Sequence, residues 1–350
     1  MENNDFNNKP DYAINETPGT DRRFPSVQVT SFFVLAIFAL FFLIQIFLVN
    51  LLNIFGLVEL YKNSASFYYL FGAVYEILYI GLPTLIIVLY YNKDRACFLR
   101  LNPMKGSEIL ITVIIGICVY FANTFLSEAN YIAASFFSKI TLPTTPPIIS
   151  AGDKIFLMIE LAIVAPVLEE LLMRGVIMRG FEGKSKWFAI IMTGVFFGML
   201  HLSYYTIVPK VLAGILLCYV VFTTNSIYSG IIVHLINNAL SGLLAIISTS
   251  SIEESGEEAV TAIEELSVAS RLSTVFLCVF IASIIIGIII VLLVLLKNSG
   301  KRAGADGIYV YKGKLREKLA CEARIKWYAY LPMAITFLIM IVLMIGDSIQ

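Results

Sequence analysis

The chain has 350 residues, of which 59% are hydrophobic and 14% charged; ordinary soluble domains run at about 45–50% and about 25%. That excess excludes a soluble enzyme, a disordered chain and a nucleic-acid binder with a basic face. Lys plus Arg and Asp plus Glu both number 25, so no net charge draws in a partner. The five cysteines, Cys97, Cys118, Cys218, Cys278 and Cys321, lie far apart without a C-x-x-C pair, which argues against a disulfide framework and against a zinc knuckle.

A helix needs roughly 20 mostly apolar residues to cross a bilayer. Residues 1–26 are polar and read as a disordered cytoplasmic tail. Apolar runs follow at 27–55, 66–91, 107–138, 154–181, 187–204, 206–224, 226–249, 270–297 and 327–346. The expected fold is therefore an all-α, polytopic transmembrane helical bundle of about nine helices. The first run is too long for a signal-peptide core and reads as a retained anchor. With the N-terminus in the cytoplasm, 20 of the 25 Lys and Arg fall on cytoplasmic segments, as the positive-inside rule requires.

The chain divides into four regions. Residues 27–106 hold the first helices and a basic cytoplasmic loop. Residues 107–249 hold the chemistry. Residues 250–350 add an acidic external loop and a C-terminal transmembrane extension. The acidic run 252–265 is first a solvated face and second a guide for cationic peptides. The basic run 297–326 suits orientation and contact with anionic lipid head groups.

Ionisable residues at bilayer depth are costly and mark function by default. They are Glu76 in the second run, Glu160, Glu169, Glu170 and Arg174 in the fourth, His201 in the fifth, and His234 with Asn237 and Asn238 in the seventh. The chain has only two histidines, and both fall here. Residues i and i+4 share a helix face, so Glu170 can pair with Arg174, and His234 and Asn238 can present a ring and an amide to one point. Phe197 gives His201 an aromatic wall. At a rise of about 1.5 Å per residue, the polar groups of these helices reach similar depth. Pro166 can kink its helix and open a water-filled cavity beside Glu169. Glu76 is expected to hydrogen-bond within the bundle, and Glu160 to face water or Lys154.

Such parts fit the attack of water on a peptide carbonyl. A carboxylate in an apolar site suits a general base, with a His to share the proton. A second His with an Asn amide suits an oxyanion hole. There is no G-x-S-x-G and no H-E-x-x-H. Two His and a Glu (Glu169, His201 and His234) also match a zinc triad.

E-E-x-x-x-R at Glu169–Arg174, F-x-x-x-H at Phe197–His201 and H-x-x-x-N at His234–Asn238 resemble the three motifs of the CAAX protease and bacteriocin-processing (CPBP, or Abi) family of type II CAAX prenyl endopeptidase-like intramembrane proteases. The resemblance covers 107–249, and Met173 stands where an aromatic is common. It implies a hydrolase built as a helical bundle. By that resemblance Glu169 and His201 would activate water, His234 and Asn238 would form the oxyanion hole, and Glu170, Arg174 and Phe197 would support them. It favours a site without a metal or other cofactor, zinc being the alternative. The expected partners are a peptide or membrane-protein substrate and the lipid bilayer, with no nucleic acid. The retained anchor and the family's spread point to a multi-pass protein of a bacterial plasma membrane. The competing function is a non-catalytic membrane partner, for bacteriocin self-immunity or envelope regulation, that keeps the site for binding.

Overall fold

The computed structural model describes residues 25–91, 95–138, 140, 145–248, 267–299 and 327–349. The tail before residue 25, the acidic run 252–265 and most of the basic run 297–326 lie outside the described residues. Among the described residues the chain is all helical, with no strand.

Among the described residues nine longer helical segments follow one another, besides short helices at Val58–Asn63 and Arg95–Phe98: α1 Val27–Ile54, α2 Ala65–Tyr91, α3 Gly106–Ala134, α4 over 151–182, α5 Lys186–Met199, α6 Ile207–Thr224, α7 Ile227–Ser248, α8 Val268–Ser299 and α9 over 327–349. Seven are long and apolar enough to cross a membrane. The other two, α4 and α5, carry Glu169, Glu170 and Arg174, and Phe197, while His234 and Asn238 lie on α7. α4 carries Glu160, Glu169, Glu170, Arg174 and Arg179, and α5 has only 14 residues. The expected fifth run is therefore shortened, because the helix stops at Met199 and the chain turns at Leu200–Leu202.

Local chemistry sets the starts. Serines cap four of these helices: Ser26 Oγ accepts from Val29 N, Ser64 Oγ from Phe67 N, Ser150 Oγ from Asp153 N and Ser185 Oγ from Phe188 N. A capping side chain satisfies an amide that the first helical turn leaves unpaired. At the α6–α7 turn Asn225 takes φ 50°, a conformation that Asn tolerates better than most residues.

Three π turns interrupt the helices, at Ile77–Gly81 in α2 and at Glu160–Val164 and Leu171–Ile177 in α4. The two in α4 bracket Glu169 and Glu170. Each widens the ladder by one residue and re-aims the side chains beyond it. Pro166 sits just after the first, where the wider turn accommodates a residue without an N–H.

Packing is closest between α5 and α6 and between α3 and α8, while α9 lies along α1. The α5–α6 contact is backbone against backbone. A Cβ on Gly194 would lie 2.6 Å from Ile215 N, one on Gly198 2.7 Å from Val211 N, and one on Gly214 2.8 Å from Gly194 O. Gly194-x-x-x-Gly198 is thus a small-residue seam of the kind that lets membrane helices touch. It fixes the end of α5 that carries Phe197 and His201. Gly194→Val is expected to lower the melting temperature of the detergent-solubilised protein, with an overpacking cost of about 1–3 kcal/mol. Gly287→Ala, where a Cβ meets nothing within 4 Å, should leave the melt unchanged.

Candidate active site

The site is built on α4. Glu170 is fully buried and its Oε1 accepts from Arg174 Nη1 at 2.7 Å and from His234 Nδ1 at 3.0 Å. Arg174, also fully buried, donates through Nη2 to the Gly214 carbonyl at 3.0 Å and lies 4.9 Å from the Phe197 ring centroid. The helical i, i+4 pairing expected from the sequence is therefore present, and it reaches α5, α6 and α7 as well. Two charges removed from water stabilise a fold only when paired and hydrogen-bonded, and this network supplies both.

Glu169 points elsewhere. Its Oε2 lies 3.7 Å from His234 Nε2 and is buried without a hydrogen-bond partner. An unsatisfied buried carboxylate oxygen is uncommon and marks a place of strain or chemistry. His234 stands between the two carboxylates, and Glu170 accepts from Nδ1, so Nε2 is the nitrogen turned towards Glu169.

His201 lies just past the end of α5, in the turn rather than in the helix. Its Nδ1 donates to the Phe197 carbonyl at 3.0 Å, which leaves Nε2 with its lone pair. Phe197 packs edge-on against both histidines, with ring centroids 5.2 Å and 5.6 Å away. Asn238 donates through Nδ2 to the Leu161 carbonyl at 2.9 Å. That carbonyl lies in the first π turn of α4. Asn237 donates to Asn238 Oδ1 at 2.9 Å, and Asn123 donates to Asn237 Oδ1 at 3.0 Å.

One cavity of about 950 Å³ is lined by Glu169, His201, His234, Asn238 and Phe197. Glu170 and Arg174 lie behind its wall. The close partner of Glu169 is His234, whereas the sequence reading paired it with His201. The i, i+4 rule relates residues on one helix and says nothing of which helices face each other.

Three further residues share the cavity. Glu76 lines it with a buried, unpartnered Oε2, so that oxygen makes no bundle hydrogen bond. Glu160 lines it too, instead of facing water or Lys154, and the charges of Glu76, Glu160 and Glu169 act on one another. Lys210, in the first turn of α6, lines the same cavity and acts electrostatically on Glu169. The signal for Glu76 and Glu160 was their bilayer depth. Lys210 gave none, because at the start of the 206–224 run it reads as a charge on the outer end of a span.

A zinc ion would need Glu169, His201 and His234 together. Among the described residues no three His, Cys, Asp or Glu side chains are grouped so as to hold a metal ion.

Residues 151–240 match the family described as Rce1-like, type II CAAX prenyl endopeptidase Rce1-like. The match is shorter than the resemblance read over 107–249, and it contains all seven motif residues from Glu169 to Asn238. No curated protein and no solved structure matches the chain. The family matched is one of CAAX prenyl endopeptidases, a similarity that supports a peptidase, and with seven bilayer-length helices among the described residues the chain is a multi-pass membrane protein.

Arg174→Met would strand the buried Glu170 without its cation, at a cost of about 3–5 kcal/mol. Arg174→Met with Glu170→Gln removes both charges and is expected to recover much of the melting temperature. Thermal unfolding of the two variants in detergent measures the difference.

Proposed function

We propose that the chain is an intramembrane peptidase that hydrolyses a peptide bond with a water activated by Glu169. The observation that carries this reading is the single cavity shared by Glu169, His201, His234 and Asn238, with the Glu169 Oε2 unpaired inside it. A substrate carbonyl placed there would meet the water on Glu169. In that reading Glu169 takes the water's proton as its oxygen bonds to the carbonyl carbon. His201, with Nδ1 held by the Phe197 carbonyl, offers Nε2 to share that proton and to pass it on to the leaving amine.

The developing oxyanion needs donors placed in advance. An Asn amide has two N–H donors, and the Leu161 carbonyl takes one from Asn238, so the second serves the oxyanion. His234 serves as the other donor, through Nε2, in its doubly protonated form, because its Nδ1–H already goes to Glu170. Its ring is held by Glu170, and Glu170 is held by Arg174. Phe197 fills the space between both rings and the guanidinium and keeps water out of the tether.

The substrate class is a peptide or a membrane-protein segment. The finer roles of processing a leader peptide or another membrane protein belong to this proposal, as does the bacterial plasma membrane.

The test compares the termini of membrane proteins in cells that carry the wild-type chain, Glu169→Gln or His201→Ala at matched levels. New termini present only with wild type identify the substrate. On a peptide spanning such a cut, Glu169→Gln is expected to slow turnover by about 10²–10⁴-fold, the range for loss of a general base. Asn238→Ala should slow it by about 10²–10³-fold, the range for loss of one oxyanion donor. Identical termini in all three strains would end the hydrolase reading.

A further inference from the structure

The two ends of the helix bundle are built differently. At one end Thr30, near the start of α1, touches Gly180 near the end of α4. Arg100, between α2 and α3, reaches Glu182 and also donates to the Asn225 side chain in the α6–α7 turn at 3.1 Å. Arg179 pairs with the other oxygen of Glu182 at 3.2 Å. Lys105, at the start of α3, donates to the Ser299 carbonyl at the end of α8 at 3.1 Å. This end is solid. Leu172, Met173, Arg174, Ile177, Met178 and Phe181, successive turns of α4 below Glu170, all have 0% exposure.

At the other end Asp153 Oδ1 accepts from Ser66 N at 2.8 Å, joining the starts of α2 and α4. Asn130, near the end of α3, donates to the Tyr204 carbonyl at 3.1 Å in the α5–α6 turn. Arg271, at the start of α8, stacks over Phe136 at 5.7 Å. The cavity runs from Glu169 and His234 towards this end, where Tyr131, Tyr205, Thr206 and Lys210 line it.

Charge separates the ends as well. Among the described residues, Arg95, Arg100, Lys105, Arg179, Lys184, Lys186 and Lys297 lie on segments at the solid end, and Lys62, Lys154, Lys210 and Arg271 at the open one. Cytoplasmic segments carry the excess of Lys and Arg in membrane proteins, so the solid end is the cytoplasmic one.

We propose that the site receives its substrate from the non-cytoplasmic face of the membrane. This rests on the peptidase reading and names its substrate class: a peptide, or a segment of a membrane protein, that has already been exported. The step that supplies the substrate is then translocation across the same membrane. A peptide confined to the cytoplasm would meet the packed end, where 0% exposure along α4 leaves no path to Glu169.

Thiol labelling tests the inference. Ser127→Cys and Thr206→Cys place a thiol on the cavity wall and at its mouth, and Lys184→Cys places one at the solid end. None of the three belongs to the proposed catalytic set. Each is treated with a membrane-impermeant thiosulfonate bearing a trimethylammonium group, in intact cells and in sealed inverted vesicles. Labelling is read above that of the parent chain with its own cysteines. The expected result is that Ser127→Cys and Thr206→Cys react in intact cells and lose that reaction in inverted vesicles, with the reverse for Lys184→Cys. Reaction of Ser127→Cys only in inverted vesicles overturns the proposal, and so does its protection in both preparations. Labelling needs no turnover and is repeated in Glu169→Gln. An outward mouth without any wild-type-specific termini would therefore sink the peptidase and leave the mouth standing. An inward mouth with such termini would do the opposite.

Discussion

The site depends on one requirement: a carboxylate with 0% exposure in the middle of a membrane bundle must be paired. Glu170 meets it with Arg174 on its own helix and with His234 from α7. Arg174 in turn fastens to the Gly214 carbonyl of α6 and to the face of Phe197 on α5. One buried charge pair thus ties four helices at one depth. The hydrophobic effect does not draw helices together in lipid, where side chains and acyl tails are equally apolar. Polar contacts of this kind, with close backbone packing, take its place. A Cβ at Gly230 would lie 2.5 Å from Glu170 Oε2, so the approach of α7 to this carboxylate also depends on a missing side chain.

Two residues adjacent in sequence carry opposite demands. Glu170 is tied through Oε1 to Arg174 and His234 behind the wall, while Glu169 lines the cavity; each keeps an Oε2 without a hydrogen-bond partner. About 100° of helix rotation separates neighbours, which is enough to place one in the packed network and the other on the cavity wall. The π turn that follows, at Leu171–Ile177, lets the chain return to close packing after that divergence. The π turn before it places the Leu161 carbonyl where Asn238 can donate to it. The irregular helix geometry therefore has a local purpose at both flanks of the glutamate pair.

Much of this was legible in the sequence, for a reason peculiar to membranes. Charged and imidazole side chains are so costly at bilayer depth that their positions stand out against apolar runs, and that singled out Glu169, Glu170, Arg174, His201 and His234. The Glu170–Arg174 pair followed from i, i+4 spacing alone. Spacing failed between helices. It did not foresee that His234 would stand between both glutamates, nor that Glu76, Glu160 and Lys210 would share the cavity, because those contacts depend on how α2, α4, α6 and α7 turn towards one another. Helix length was also misread at α5, where Met199 ends the helix although the apolar pattern continues. The Gly194-x-x-x-Gly198 seam was present in the sequence, overlapping the start of the F-x-x-x-H motif, and it sets the position of that motif against α6.

The difference between the two ends of the bundle follows from the same chemistry. At the end near Phe181, arginines find backbone carbonyls, Glu182 and the Asn225 side chain, and the small residues Gly175 and Gly180 admit Leu99 and Thr30 against α4. The result, among the described residues, is a packed end in which α4 is buried from Leu172 to Phe181. Towards Tyr205 the short α5 stops early and the turn at His201 leaves the space above Glu169 to be walled by α3 and α7 instead of by another full-length helix. A water-dependent reaction inside a membrane needs a dry, packed floor to hold its charges in place and one opening through which water and substrate arrive. The early end of α5 supplies the opening, and the arginine-bound base of α4 supplies the floor.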